Sequence, residues 1–178
     1  MAKSSAEVLG KLQDKLAQTF RDLPAIIGEE AVNFTLENFE HEGFQGDSFE
    51  AWQRRKNPTA WGKRDETDRA LLVKTAKLKR SIRISKVMED RVFISAGGED
   101  IPYAKVHNEG FEGEVTQNVA EHIRKTKTLK NVKVSAFTRK IYQQIPKRKF
   151  IGGQSESSQL RSRIQNVAIQ ELNKILKP

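Results

Sequence analysis

The chain has no cysteine, which excludes disulfides and thiolate metal sites. No apolar run approaches the roughly 20 residues needed to span a bilayer. The first residues, MAKSSAEVLGK, lack the apolar stretch of a secretory signal. The expectation is a protein made and kept in a cytoplasm, or packaged from one, with no membrane partner. Glycines are scattered and form neither a P-loop nor a Gly-x-Gly-x-x-Gly. The nearest stretch, Asn108 to Gly113, holds only Gly110 and Gly113, and Glu109 and Glu112 would repel a phosphate. No Gly-x-Ser-x-Gly elbow exists. The histidines, His41, His107 and His122, have neither zincin spacing nor a carboxylate cluster beside them. Glu89-Asp90 and Glu99-Asp100 fall at predicted turns, where adjacent carboxylates point apart. The residues therefore predict no enzyme, no cofactor and no metal.

A local absence is as informative. From His122 to Lys149 there are ten Lys or Arg residues and no Asp or Glu. That strip exceeds the net charge of the whole chain, +9, so the remainder is close to neutral. Two readings stay open for it: a solvated loop, or a surface facing nucleic acid or an acidic partner. Its cations Arg124, Lys125, Lys127, Lys130, Lys133, Arg139, Lys140 and Lys147 are the candidates for DNA or an acidic surface. Only Phe137 and Tyr142 interleave with them as aromatics, too few for a base-stacking platform.

The 178 residues suit one domain. Val8, Leu12, Leu16 and Phe20 predict an amphipathic helix over 4–22, with Ser4 and Glu7 at capping-box spacing. Ile27, Ala31 and Phe34 predict a second over Pro24 to Phe39, and Pro24 leaves open two helices or one long kinked rod. Residues 40–69 read as irregular, punctuated by glycines and Asn57-Pro58. Phe44, Phe49, Trp52 and Trp61 are anchors there; Trp52 is expected to pin the segment to a core, and Trp61 is undecided between core and partner.

A short basic helix is expected over 69–80, with Leu71, Leu72, Thr75 and Leu78 inward. Ile82 and Ile84, then Val92 and Ile94, alternate with polar residues around Met88 to Arg91, predicting a hairpin. Ile101 to Asn108 reads as a helix with Gly110 at its C-terminal end. Residues 111–145 form a basic insertion of uncertain structure, in which Val132 to Val134 suits a strand and Phe137 to Gln143 suits strand or helix. Ile145 to Ile151 reads as a final strand. Leu160, Ile164, Val167, Leu172 and Ile175 give an amphipathic helix over 155–177, with serines 155, 157 and 158 as N-caps. The fold expected is α+β: an antiparallel sheet built on a β-hairpin, packed by N-terminal and C-terminal amphipathic helices. Its single domain, 1–178, divides into 1–39, 40–69, 70–110, 111–145 and 146–178.

Tyr103 and His107 share a helix face. They suit either a packed, hydrogen-bonded pair closing the sheet or a polar contact across a subunit interface.

The order Leu71, Leu72, Thr75, Leu78, Ser81, Ile82, then a hairpin, then Tyr103, Ala104, His107 and Gly110, resembles tailed-phage virion morphogenesis proteins of the Mu-like, tail-completion and head–tail joining kind. Phe39, Gly43-Phe44 and Trp52 match the run before the hairpin. Pro146, Arg148, Phe150, Ile151 and Gly152 match the closing Pro-x-Arg-x-Phe-Ile/Leu-Gly. The chain departs from the pattern at Ala76, where the family often has glycine, and at Lys149, where it often has proline. The resemblance implies structural work at the head-proximal end of the tail, in the neck or as a tail terminator. It implies a ring, expected to be a hexamer, that contacts connector or neck proteins and the tail tube, with non-specific proximity to packaged DNA. Interface candidates on this reading are Trp52, Trp61, Tyr103, His107, Arg148 and Phe150. The protein would reside in the virion, and in the host cytoplasm during assembly.

Overall fold

The computed structural model describes residues 5–54, 70–125 and 131–176. Its first element, helix α1, runs unbroken over Ser5–Glu40, so Pro24 lies inside one rod rather than between two helices. At 1.5 Å per residue the rod is about 54 Å long. Its buried residues, Gly28, Phe34, Thr35, Asn38 and Phe39, all lie in the second half. Val8, Leu9 and Phe20 in the first half are exposed. The apolar stripe there does form a helix, but among the described residues none of its side chains is fully buried.

Residues 43–51, expected to be irregular, contain a small antiparallel pair, strands β1 (Gly43–Gln45) and β2 (Phe49–Ala51). Trp52 follows and is buried, its ring edge-on to Phe39 at 5.4 Å, as its anchoring role requires. Trp61 lies outside the described residues. The expected helix over 69–80 shrinks to α2, Lys77–Arg80. Leu72 and Ala76 adopt left-handed backbone, with φ of 61° and 53°, and a right-handed helix cannot pass through them. Leu71 and Leu78 are buried nonetheless.

The hairpin is present as β3 (Arg83–Val87) and β4 (Val92–Ser95), with a bulge between Ile84 and Lys86. Its turn closes where Met88 N–H donates to the Arg91 carbonyl at 2.9 Å. The hairpin lies against α1 at Gly28. A Cβ there would stand 2.7 Å from Ile84 Cδ1 and 3.0 Å from Val92 Cγ1, so a residue unfavourable to helix is what lets the layers approach. Helix α3 (Tyr103–Glu109) ends at Gly110, whose N–H bonds to the Val106 carbonyl.

The basic insertion is not a loop. It rises as β5 (Phe111–Val119), continues as β6 (His122–Lys125), and returns through β7 (Asn131–Val134) and β8 (Phe137–Ile145). Strand β5 pairs with β8 over nine positions, and β6 pairs with β7. The final strand expected at Ile145 to Ile151 is absent: β8 ends at Ile145, and residues 146–151 join no ladder among the described residues. Helix α4 (Ser158–Leu176) then packs antiparallel on the second half of α1. Ser157 Oγ caps it, accepting from Leu160 N–H at 3.0 Å.

The class is α+β, but among the described residues the strands make four separate two-stranded antiparallel sheets instead of one. The main core unites Phe39, Trp52, Leu71, Leu78, Ile82, Ile101, Ala104 and Phe150. A second cluster, Phe34, Phe44 and Leu160, joins α1 to α4.

Candidate assembly surfaces

The closing segment Pro146 to Gly152 is where the candidate residues converge. Having no ladder, its backbone must find other partners, and side chains supply them. Asn38 Nδ2 donates to the Phe150 carbonyl at 3.0 Å, while its Oδ1 accepts from Gln45 N–H at 3.1 Å. Asn108 Oδ1 accepts from both Phe150 N–H and Ile151 N–H. Trp52 Nε1 donates to the Lys149 carbonyl at 2.6 Å. Arg148 N–H donates to the His107 carbonyl at 2.8 Å, and Arg148 Nε to the Gln53 carbonyl at 3.0 Å. Trp52, Arg148 and Phe150 are thus buried parts of one clamp. Asn38 and Asn108, its central members, were not among the residues singled out from sequence. A buried asparagine inside a helix is a usable signal, because asparagine there normally seeks a backbone partner.

Tyr103 and His107 meet edge-on, ring centroids 5.8 Å apart, rather than through a hydrogen bond. Tyr103 is exposed, and His107 Nδ1 is buried without a hydrogen-bond partner. Burial, with Arg148 nearby, holds the His107 pKa below its ordinary value.

The clamp is also the root of the β5–β8 ribbon, since β5 leaves α3 at Gly110 and β8 enters the clamp at Pro146. Nine residues at about 3.4 Å each carry the ribbon about 30 Å from that root. Its register gives two unlike faces. On one, Phe111 faces Ile145, Val115 faces Ile141 and Val119 faces Phe137. None of these is fully buried, and Phe111 and Phe137 are exposed. The other face is polar. Lys140 pairs with Glu114 at 3.5 Å, and Tyr142 O–H donates to Glu112 Oε1, which raises the phenol pKa.

The pairing redistributes the basic strip. Lys133 is bridged by Glu121 at 3.0 Å, Lys140 by Glu114, and Arg139 Nε donates to Gln117 at 2.7 Å. Arg124 and Lys125 remain exposed on β6, and Lys147 is exposed at the root. Lys127 and Lys130 lie outside the described residues. The strip is therefore neither a mobile loop nor a continuous basic track over its described length.

The other extended surface lies on α1 and α4. Arg163 bridges Glu30 and Glu37 between the two helices, and its hydrogen bonds hold the Glu37 carboxyl below its usual value. Beyond that bridge, exposed Phe20, Val8 and Leu9 continue along α1, and Ile169 and Leu176 are exposed on α4.

Among the described residues no group of His, Cys, Asp and Glu could hold a metal ion, and no helix is long and apolar enough to cross a membrane. No curated protein and no solved structure matches the chain. A profile of the phage virion morphogenesis family matches residues 2–173; together with the clamp and the motif order that builds it, this places the chain in the phage virion morphogenesis family.

Proposed function

We propose that the protein is a non-catalytic virion subunit acting at the head-proximal end of the tail, completing the tail or joining it to the capsid. The carrying observation is the ribbon. A two-stranded hairpin is marginal alone in water, yet this one projects about 30 Å from its root, with Phe111 and Phe137 exposed and Val115, Val119, Ile141 and Ile145 only half-buried on one face. Such an element suits a chain that finishes folding on its neighbours. The exposed first half of α1 is a second element of the same kind. Repetition of one head-to-tail contact closes a ring, and a six-fold tail makes a hexamer the expected size. Connector or neck proteins on one side and the tail tube on the other are the partners on this reading.

Phage lacking the protein should accumulate filled heads and tails that do not join, seen by electron microscopy of lysates. Complete virions in normal yield would overturn the proposal. Replacing Lys125, Lys127, Lys130 and Lys133 with Gln should reduce infectivity; unchanged virion yield and DNA delivery would remove any function from those cations.

A further inference from the structure

From Leu23 to Gln53 the chain has seven Asp or Glu residues and no Lys or Arg. This run is the electrostatic counterpart of the basic strip. Part of it is neutralised internally. Arg163 serves Glu30 and Glu37, Lys79 reaches Glu40, and Arg54 reaches Glu42. Asp47 and Glu50 have no basic partner among the described residues. Asp47 precedes β2 and Glu50 is its central residue; all three β2 residues are exposed, Phe49 by 52%. Among the described residues strand β2 pairs only with β1, which leaves its outer edge open to them.

The ribbon tip has the complementary pattern. Ile123 is 69% exposed, and Arg124 and Lys125 follow it, both exposed. Among the described residues strand β6 pairs only with β7, so its other edge is likewise open to them. Each surface is an apolar residue beside charges of one sign on an unpaired strand edge. Open edges template pairing with another chain, and complementary charge selects which edge they accept.

On the ring reading above, we infer that the β6–β7 tip of one copy docks on the β1–β2 edge of the next. Ile123 packs on Phe49, and Arg124 and Lys125 face Asp47 and Glu50. The two surfaces are different parts of the same chain, so the contact is heterologous and propagates from copy to copy. DNA is the less favoured occupant of the tip. Within the tip Lys133 on β7 is bridged by Glu121, and in the ribbon Lys140 on β8 is bridged by Glu114, so these cations do not extend Arg124 and Lys125 into a track.

The chain's lack of cysteine makes the test clean. Full-length protein carrying Phe49→Cys and Ile123→Cys, oxidised and run without reductant, should give a ladder of linked chains. Each single cysteine variant should run as monomer, because its cysteine meets no thiol across the contact. Arg124→Glu with Lys125→Glu, and separately Ser48→Lys with Glu50→Lys, should each weaken self-association about 100-fold in sedimentation velocity. An equimolar mixture of the two should restore it, because every contact in an alternating assembly is again opposite in sign. Asp47 is left intact because it accepts the Ser158 N–H at 3.1 Å. Wild-type assembly with no ladder and no effect of charge reversal would overturn the docking while leaving the ring. A wild-type chain monomeric at every concentration would overturn both. Unchanged self-association with loss of a salt-sensitive DNA shift on tip reversal would assign the tip to nucleic acid.

Discussion

Asn38, in the middle of a helix turn, holds the backbone of Phe150 from 112 residues away, its Nδ2 donating to the Phe150 carbonyl at 3.0 Å. The same amide accepts from Gln45 N–H. One fully buried side chain thus fixes the helix end, β1 and the closing segment together. Asn38→Leu should cost about 2–5 kcal/mol, because it removes two hydrogen bonds and orphans a buried carbonyl and a buried N–H. Denaturant unfolding should show a lower midpoint with an unchanged slope. Stability within about 0.5 kcal/mol of wild type would mean the clamp does not hold the fold.

Ala76 sits at φ 53° ahead of α2 without a side-chain cap. A Cβ in left-handed backbone costs about 1–2 kcal/mol, against the entropy that glycine adds to the unfolded chain, about 0.4–1 kcal/mol. Ala76→Gly should therefore stabilise the protein by about 0.5 kcal/mol, measured by thermal unfolding. Gly28→Ala should do the opposite of what helix propensity alone predicts, because the added methyl meets Ile84 and Val92. A stabilised Gly28→Ala would mean the hairpin yields to it easily.

His107 supplies the pH dependence. Burial and the Arg148 charge favour its neutral form in the folded state, so the folded pKa lies below the ordinary 6.5. Above that value both folded and unfolded states are neutral at this site, and His107 adds no slope. As pH falls below it the unfolded chain takes up the proton first, and stability drops until the folded pKa is passed. Melting temperature should fall as the pH drops below the ordinary 6.5, and His107→Gln should flatten that fall. The Glu37 carboxyl, held low by Arg163, adds its own loss only below its usual 4.5. An equal fall in the variant would assign the slope to other groups.

What was legible follows from how each element is stabilised. The hairpin at β3 and β4, α4 and the burial of Trp52 were readable, since each depends on local alternation, helical spacing or one large apolar side chain. The clamp was not, because its hydrogen bonds join residues around 38, 52, 108 and 150 and leave no local period. The ribbon failed for a different reason. Phe111, Val115 and Val119 recur every fourth residue, as do Phe137, Ile141 and Ile145. That spacing fits one face of a helix as well as one face of a strand. Gly113, Gln117, Arg139 and Gln143 fill the intervening positions on the same face and mask the two-residue period. The acidic partners of the basic strip were equally hidden, since Glu112, Glu114 and Glu121 precede it in sequence and meet it only through strand pairing. Helix α2 was overextended because nothing in Leu72 or Ala76 announces left-handed backbone.

The apolar ribbon face separates a structural role from an assembly role. Val115 and Ile141 face each other on it and are only half-buried. If that face serves only the isolated chain, Val115→Lys with Ile141→Lys loses a cross-strand pair and sets two exposed ammonium groups opposite each other, each effect about 0.2–1 kcal/mol. If it seats a neighbour, two ammonium groups at the centre of the contact are left without partners, and binding fails although the monomer folds. The expected result is a double variant with near-wild-type circular dichroism and melting, yet unable to complement a phage lacking the gene. The polar face gives the control. Thr116→Lys and Thr138→Lys lie on the same strands and should complement. Normal complementation by the Val115 and Ile141 variant would show that the ribbon is not a docking face, and that the core, α1 and α4 carry whatever contacts the subunit makes.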